Sequence, residues 1–172
     1  YLKFTGKSGT VIFYGCPGEE GGAAKAFFAR ENEWTKLDAA LTWHPDDVNQ
    51  VVTGSSMACI QKEYIFSGVA SHAAGAPEQG RSALDAAELM NIGVQFLREH
   101  MGKNASVHYA FTDAGGVSPN VVQSKAKVLY MIREATVQDA VKLEARVDKI
   151  AQGAALMTET QLSTRFIDGT AN

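Results

Sequence analysis

Residues 81–101, RSALDAAELMNIGVQFLREHM, have a periodic pattern of apolar side chains from which the fold can be predicted. Apolar side chains recur in this stretch at spacings of three and four residues, and polar side chains occupy the opposite face. This periodicity predicts an amphipathic helix that packs one stripe against a core. The stripe comprises Ala83, Ala87, Met90, Val94, Leu97 and Met101, and the polar face comprises Asp85, Glu88, Asn91, Gln95 and Arg98.

Four strands and a second helix are predicted around that helix. The strands cover residues 60–66, 106–111, 126–133 and 160–166. Thr136, with Asp139 three residues on, is typical of a helix start. The apolar stripe that follows comprises Ala140, Leu143, Val147, Ile150, Ala154 and Met157. The order β-α-β-β-α-β predicts an α+β domain with a ferredoxin-like arrangement, a four-stranded antiparallel sheet with two helices on one face.

The first 55 residues show a different alternation. Apolar runs at 10–15 and 38–43 predict two strands buried on both faces, with a helix at 23–30 between them. This is one strand–helix–strand unit of a mostly parallel sheet. Because such a sheet needs more strands, we interpret residues 1–55 as part of a larger α/β domain. Residues 57–172, with 168 as an alternative end, form the separate α+β domain.

Composition and charge exclude several classes of protein. Of the 172 residues, 45% are hydrophobic and 20% are charged, and the net charge is −3. These values predict a packed domain with no basic surface for nucleic acid. No apolar run reaches the length of a membrane span, so no membrane partner is expected. Two cysteines, Cys16 and Cys59, cannot form a disulfide framework, which favours a reducing, cytoplasmic location.

Candidate metal-binding residues lie at the ends of the first two predicted strands. Glu19 and Glu20 follow the first strand, and His44 follows the second. Ligands of open α/β sheets bind beyond such strand ends. One carboxylate can hold a metal while the other takes a proton from a metal-bound water, and imidazole is a common metal ligand. An acidic loop near a helix N-terminus and a hydrogen-bonded histidine are the alternatives.

Three candidate binding residues lie in the second region. His72 has small neighbours that leave its imidazole accessible, Asn120 follows a Gly-Gly turn, and Arg133 ends a strand. An amide can bind a carbonyl group and a guanidinium can bind a carboxylate. A turn histidine, a turn amide and a surface charge are the alternatives. We interpret His100 and His108 as structural residues.

Taken in order, these motifs resemble those of a known family. The matching segments are PGEEGGA at 17–23, TWHP at 42–45, FSG at 66–68, SHAA at 71–74, GRSALDA at 80–86 and GGVSPNVV at 115–122. As a set they resemble the co-catalytic metallopeptidase and amidohydrolase family, which includes glutamate carboxypeptidase and the auxin-conjugate hydrolases. The resemblance implies a catalytic α/β domain, partly present in residues 1–55, interrupted by a lid or dimerisation domain at 57–172.

For the catalytic domain, the resemblance implies a metal site. Glu19 resembles the general base that activates a metal-bridging water. Glu20 and His44 resemble metal ligands. The family uses two divalent metals, zinc or manganese, in each complete active site. Further ligands of the family are missing from this chain, so we expect it to bind metal incompletely and to be inactive alone.

For the lid, the resemblance implies contacts with substrate. His72 resembles a histidine that enters the partner subunit's site and stabilises the oxyanion, while Asn120 and Arg133 resemble residues that bind the substrate carbonyl and carboxylate. The implied activity is amide hydrolysis of an N-acyl-glutamate from folate breakdown, a similar N-acyl amino acid or a short peptide. The lid would pair with a second copy or with a related A-type subunit. The alternatives are a dimerisation module without catalysis and, from topology alone, a small-molecule sensor.

Overall fold

The computed structural model describes residues 2–19 and 23–171. The chain divides into two units, Tyr1–Gln50 and Val51–Asn172. In the first unit, helix α1 covers Leu2–Thr5 and helix α2 covers Ala24–Arg30, as predicted for 23–30, and a 3-10 turn follows at Glu33–Lys36.

The two strands predicted for the first unit differ from the structure. Residues 10–15 and 38–43 are not paired with any strand among the described residues. Most of their apolar side chains are exposed, Phe13 by 92% and Leu41 by 99%, whereas Tyr14 packs against Trp34 at a ring-centroid distance of 4.8 Å. A buried parallel strand takes hydrogen bonds from both neighbours and is covered by helices on both faces. The described residues of this unit supply neither the neighbouring strands nor the covering helices.

The second unit has the predicted β-α-β-β-α-β order. Its strands are β1 (Ala58–Ser67), β2 (Ser106–Asp113), β3 (Lys125–Glu134) and β4 (Gln161–Thr170), and its helices are α3 (Ala83–Leu97) and α4 (Val137–Thr158). The strands lie in the order β2-β3-β1-β4, and every neighbouring pair is antiparallel. The predicted four-stranded antiparallel sheet is therefore confirmed.

Both helices begin at side-chain caps and pack on one face of the sheet. Ser82 Oγ accepts a hydrogen bond from Asp85 N at 3.0 Å, and Thr136 Oγ1 accepts one from Asp139 N at 3.2 Å. The largest fully buried side chains of the resulting core are Tyr64, Phe66, Met90, Val94, Val107, Val128, Tyr130, Ile132 and Val147. The core therefore lies between the sheet and the two helices.

Two residues depart from the predicted helix stripes. Asn91, assigned to the polar face, is only 6% exposed, and its Oδ1 accepts a hydrogen bond from the Tyr130 hydroxyl at 2.6 Å. This partner compensates the cost of burying the amide. Met157, assigned to the stripe, is 67% exposed because Ala154 and Ala155 take the buried positions in the last turn of α4.

The opposite face of the sheet carries no helix of the second unit, and we call it the open face. It is formed by the alternate side chains of the four strands. Its residues include Cys59, Gln61, Glu63, Lys127, Met131, Arg133, His108, Thr112 and Arg165. Within residues 2–19 and 23–171, no helix is long and apolar enough to cross a membrane.

Candidate functional site

The backbone segment that follows β1 pairs with the segment that precedes β3, and these two segments carry His72 and Asn120. Ala73 N donates to the Asn120 carbonyl at 2.9 Å, and Val122 N donates to the Ser71 carbonyl at 3.0 Å. An isolated antiparallel bridge joins His72 to Val121. The pairing of the two strands thus extends beyond the sheet. We call the paired segments 68–73 and 120–124 the strap, and it carries both predicted residues.

A third segment, 80–83, packs against the same strap. Val69 N donates to the Arg81 carbonyl at 2.9 Å, and Ala83 N donates to the Gln123 carbonyl at 2.8 Å. A Cβ atom at Gly68 would overlap the Arg81 carbonyl oxygen, so glycine is needed for this close approach. The strap is therefore fixed from both sides at the N-terminus of α3.

The orientation of the His72 ring is fixed by its own turn. Nδ1 accepts hydrogen bonds from Ala74 N at 3.2 Å and from Gly75 N at 2.9 Å. Because Nδ1 acts as an acceptor, the proton of the neutral imidazole lies on Nε2. The side chain is exposed, so Nε2–H is available to a group outside the second unit.

Asn120 offers a second possible donor on the same paired backbone. Its backbone carbonyl is used by Ala73, but its side-chain amide is exposed and has no hydrogen-bond partner among the described residues. An amide N–H and an imidazole N–H are each able to donate to an oxygen that gains negative charge.

Arg133 lies at the other end of β3 from this pair. It is eight residues along the strand from Lys125, which corresponds to roughly 27 Å at about 3.4 Å per residue. Its Nη2 donates to Met131 Sδ at 3.1 Å, and no carboxylate pairs with it in the described part of the chain. The structure therefore brings His72 and Asn120 together within the chain and separates Arg133 from both.

The residues predicted as metal ligands lie in the first unit. Glu19 and His44 are exposed, and His44 Nδ1 lies 2.7 Å from the Pro45 carbonyl oxygen. Glu20 falls outside the described residues. Among residues 2–19 and 23–171 there is no group of three or more histidine, cysteine or acidic side chains that could hold a metal ion. These residues alone do not fit a closed metal site.

Sequence reasoning missed a polar network that crosses the open face. The Glu63 side chain is only 7% exposed, and its Oε2 lies 3.1 Å from Arg165 Nη2. Its Oε1 accepts a hydrogen bond from the Thr112 hydroxyl at 3.0 Å. These residues come from three strands, and only the strand register brings them together. Alternation within a single strand could not have identified them.

A second network, also missed, joins β1 to α4 on the helix-covered face. Lys62 Nζ lies 2.9 Å from Glu144 Oε1 and 2.8 Å from Asp148 Oδ2. The Tyr64 hydroxyl donates to Asp148 Oδ1 at 2.7 Å. Burial is the largest cause of a raised Tyr64 pKa, and the bond to Asp148 raises it further. We interpret this cluster as an ion-pair network that fastens α4 to β1 at the edge of the core.

A sheet with two helices on one face, continued by a strap that carries a histidine and an asparagine, defines a class of protein. The family model described as "Peptidase dimerisation domain" matches residues 60–158, and the chain belongs to this family. The predicted resemblance to the co-catalytic metallopeptidases and amidohydrolases is thereby confirmed.

Individual relatives are also similar to this chain. It is 52% identical to the B-type subunit of p-aminobenzoyl-glutamate hydrolase of Escherichia coli (strain K12), over 96% of this chain and 34% of that protein. It is 31% identical to the Xaa-Arg dipeptidase of Mus musculus, over 86% of this chain and 34% of that protein. The chain therefore spans about a third of the length of these relatives.

A solved structure shares the fold of the second unit. The aminobenzoyl-glutamate utilization protein from Klebsiella pneumoniae superposes with a TM-score of 0.60 and 30% sequence identity. The superposition covers 67% of this chain and 29% of that chain.

Proposed function

We propose that this chain is the lid-bearing part of a metal-dependent amidohydrolase that cleaves the amide bond of p-aminobenzoyl-glutamate or a similar N-acyl amino acid or short peptide. The 52% identity to a hydrolase subunit supports the substrate class. The observation that carries the proposal is the paired placement of His72 and Asn120 on the strap, with the imidazole proton directed to Nε2.

In this proposal His72 and Asn120 stabilise the tetrahedral intermediate of amide hydrolysis. Nε2–H of His72 donates to the oxygen that becomes negative, and the Asn120 amide donates to the same carbonyl group. Because the turn fixes the ring before substrate arrives, no reorganisation is required at the moment of reaction. One such donor contributes about 3–4 kcal/mol to lowering the barrier.

The metal belongs to the longer protein in this proposal. When bound, a divalent metal such as zinc or manganese lowers the pKa of a water and polarises the scissile carbonyl. Glu20 and His44 would contribute ligands and Glu19 would act as general base, together with residues outside this chain. The described residues contain no group of three or more candidate ligands, so a complete site would need further side chains, and two zinc or manganese ions are what the family resemblance implies.

Arg133 is proposed to bind the substrate carboxylate. The strand length that separates it from His72 exceeds the length of an N-acyl-glutamate. If both residues contact one substrate molecule, they must come from different subunits. A dimer with a twofold axis at a sheet edge satisfies this condition, because antiparallel pairing places one end of each sheet beside the opposite end of its partner.

We propose that the second subunit pairs at the β2 edge beside α3. This strand ends the sheet, and the neighbouring α3 exposes Ile92 by 52% and Phe96 by 68%. The Arg98 guanidinium donates to the Val107 carbonyl at 2.7 Å, which holds α3 beside β2. We propose that the partner is a second copy or a related A-type subunit and that the protein is cytoplasmic, a location that the two free cysteines support.

A mixing experiment on the longer protein tests the shared site. We expect His72→Ala and Arg133→Ala subunits to be nearly inactive separately and to recover about a quarter of wild-type activity when mixed. Random pairing makes half of the dimers mixed, and each mixed dimer holds one intact site.

The matched control is a mixture of His72→Ala with Asn120→Ala. Both of these residues lie on one strap, so every site in that mixture lacks one of them. Recovery in the control, or no recovery in the first mixture, would show that the site is assembled differently.

The second candidate function is a dimerisation module without catalysis of its own, which the description of the matching family favours. A Glu20→Ala variant of the longer protein separates the two. Loss of both metal binding and hydrolysis supports the hydrolase function. Unchanged hydrolysis would show that Glu20 is not a metal ligand of an active site.

A further inference from the structure

The open face carries two arginines in different electrostatic situations. Arg165 is paired with the Glu63 carboxylate at 3.1 Å. Arg133 has no carboxylate partner among the described residues, and its only polar contact is Met131 Sδ at 3.1 Å. A thioether is a weak acceptor, so it does not compensate the charge of a half-buried guanidinium. Arg133 is therefore a cation with free donors on a sheet surface.

The strand register places two polar side chains beside this guanidinium. Met131 is opposite His108 on β2 and opposite Gln61 on β1. Because Arg133 Nη2 contacts the Met131 sulfur, the guanidinium lies over the row formed by these three residues. Neighbouring strands are about 4.8 Å apart, so a ligand held by Arg133 is within reach of both flanking side chains.

Both flanking side chains have free polar groups. Neither the His108 imidazole nor the Gln61 amide makes a hydrogen bond within the described part of the chain, and neither is occupied by an ion pair. A ligand with two carboxylates could therefore place one on the guanidinium and the other on the imidazole N–H and the amide N–H beside it.

We infer that His108 and Gln61 are specificity-determining residues that bind the second carboxylate of a glutamyl substrate while Arg133 binds the first. This inference rests on the proposed function of Arg133 and deepens it. It names acidic N-acyl amino acids as the preferred substrates over their neutral counterparts. It also gives a role to a histidine that the sequence pattern assigns to structure alone.

The test measures kcat and KM of the longer protein with a matched pair of substrates, an N-acyl-glutamate and the corresponding N-acyl-glutamine. We expect His108→Ala to raise KM for the glutamate substrate about tenfold and to leave kcat within about threefold, because the lost donor binds ground state and transition state alike. The preference for glutamate over glutamine should fall by a similar factor. His108→Gln, which keeps a donor, should recover part of it.

His100→Ala is the control, since His100 lies in the turn after α3, away from the open face. It should leave both substrates unchanged. The inference is overturned if His108→Ala behaves like His100→Ala while Arg133→Ala raises KM, or if the wild-type protein shows no preference for glutamate. If Arg133→Ala also leaves KM unchanged, the proposed role of Arg133 fails as well.

Discussion

At the scale of single residues, the buried Tyr130–Asn91 bond shows how one polar pair is accommodated in an apolar core. The Tyr130 ring is fully buried, and it stacks on the Tyr109 ring at a centroid distance of 5.4 Å. Burial raises the pKa of the Tyr130 hydroxyl, which therefore stays protonated and donates to Asn91.

Replacing this hydroxyl gives the first stability prediction at this scale. Tyr130→Phe leaves the Asn91 carbonyl oxygen buried without its donor, so we expect the free energy of unfolding to fall by about 1–3 kcal/mol. Tyr109→Phe removes a hydroxyl that is bonded to no described residue, and it should change stability by less than about 0.5 kcal/mol. Chemical denaturation of the chain measures both, and equal effects of the two substitutions would contradict the assigned bond.

Gly68 allows a second prediction at this scale. In Gly68→Ala the new methyl group overlaps the Arg81 carbonyl oxygen, so the strap must shift. We expect a loss of about 1–3 kcal/mol in unfolding free energy together with reduced hydrolysis in the longer protein, because His72 moves with the strap.

The control for that prediction is Gly153→Ala. Gly153 lies inside α4 with open space around its Cβ position. Alanine is the better helix former there, so this variant should be neutral or more stable by up to about 1 kcal/mol. A Gly68→Ala chain as stable as Gly153→Ala would show that the close approach does not constrain the strap.

At the scale of secondary-structure elements, much of the second unit could be predicted because each element carries its own periodicity. The α3 stripe, the alternation of β2 and the Thr136 cap are local patterns, and each corresponds to an observed element. In the first unit the predicted helix is observed as α2, but the two predicted strands are not observed. An apolar run such as 10–15 is a strand only when partners supply its hydrogen bonds, and the described residues do not.

For the candidate site, too, local sequence patterns predict some features, and the pairing of strands is needed for the others. The sequence predicts His72 and Asn120 as binding residues from accessible positions near turns, and only the structure shows the pairing of their backbone segments. The sequence of β2 alone predicts a structural role for His108, because it does not show that Met131 of β3 lies opposite this residue. Register is a property of two strands, so no single-strand pattern contains it.

The ion cluster between β1 and α4 gives a prediction at this scale. Lys62→Met leaves the Glu144 and Asp148 carboxylates close together without their cation, so we expect a loss of about 1–3 kcal/mol at neutral pH. Lys142→Met removes an exposed pair with Asp139 and should cost less than about 0.5 kcal/mol. Denaturant titration of both variants makes the comparison, and equal costs would contradict the role of the cluster.

The same variant has a defined pH dependence. Burial acts to lower the pKa of Lys62, but its bonds to Asp148 and Glu144 outweigh burial and raise the pKa above the ordinary 10.5. A raised folded-state pKa means that the stabilisation is complete below pH 10.5 and is lost as pH rises through the folded value. The stability difference between wild type and Lys62→Met should therefore be constant from neutral pH to about pH 10 and shrink above it.

At the scale of the whole molecule, the sheet has two free edges, β2 and β4, and the proposed dimer uses one of them. On the β2 side, α3 exposes Phe96, and on the β4 edge Phe166 is exposed by 65%. An exposed edge strand with neighbouring apolar side chains is a ready surface for another chain.

A charge placed at each surface identifies the edge that is used. We expect Phe96→Asp to weaken dimerisation of the longer protein at least about tenfold, because a carboxylate would be buried at the interface without a partner. Val141→Asp, at an exposed position on α4, should leave assembly unchanged. Sedimentation velocity measures the association, and dissociation by Phe166→Asp but not by Phe96→Asp would assign the interface to β4 instead.

The pairing of Cys59 with Thr170 places the first and last strands of the second unit next to each other. The start of β1 and the end of β4 thus lie at one place on the surface of this unit. A unit whose two ends are only about 5 Å apart can be inserted into a surface loop of another domain without separating the ends of that loop. Such a unit can therefore be gained, exchanged or lost as a whole while the structure of the surrounding domain is kept.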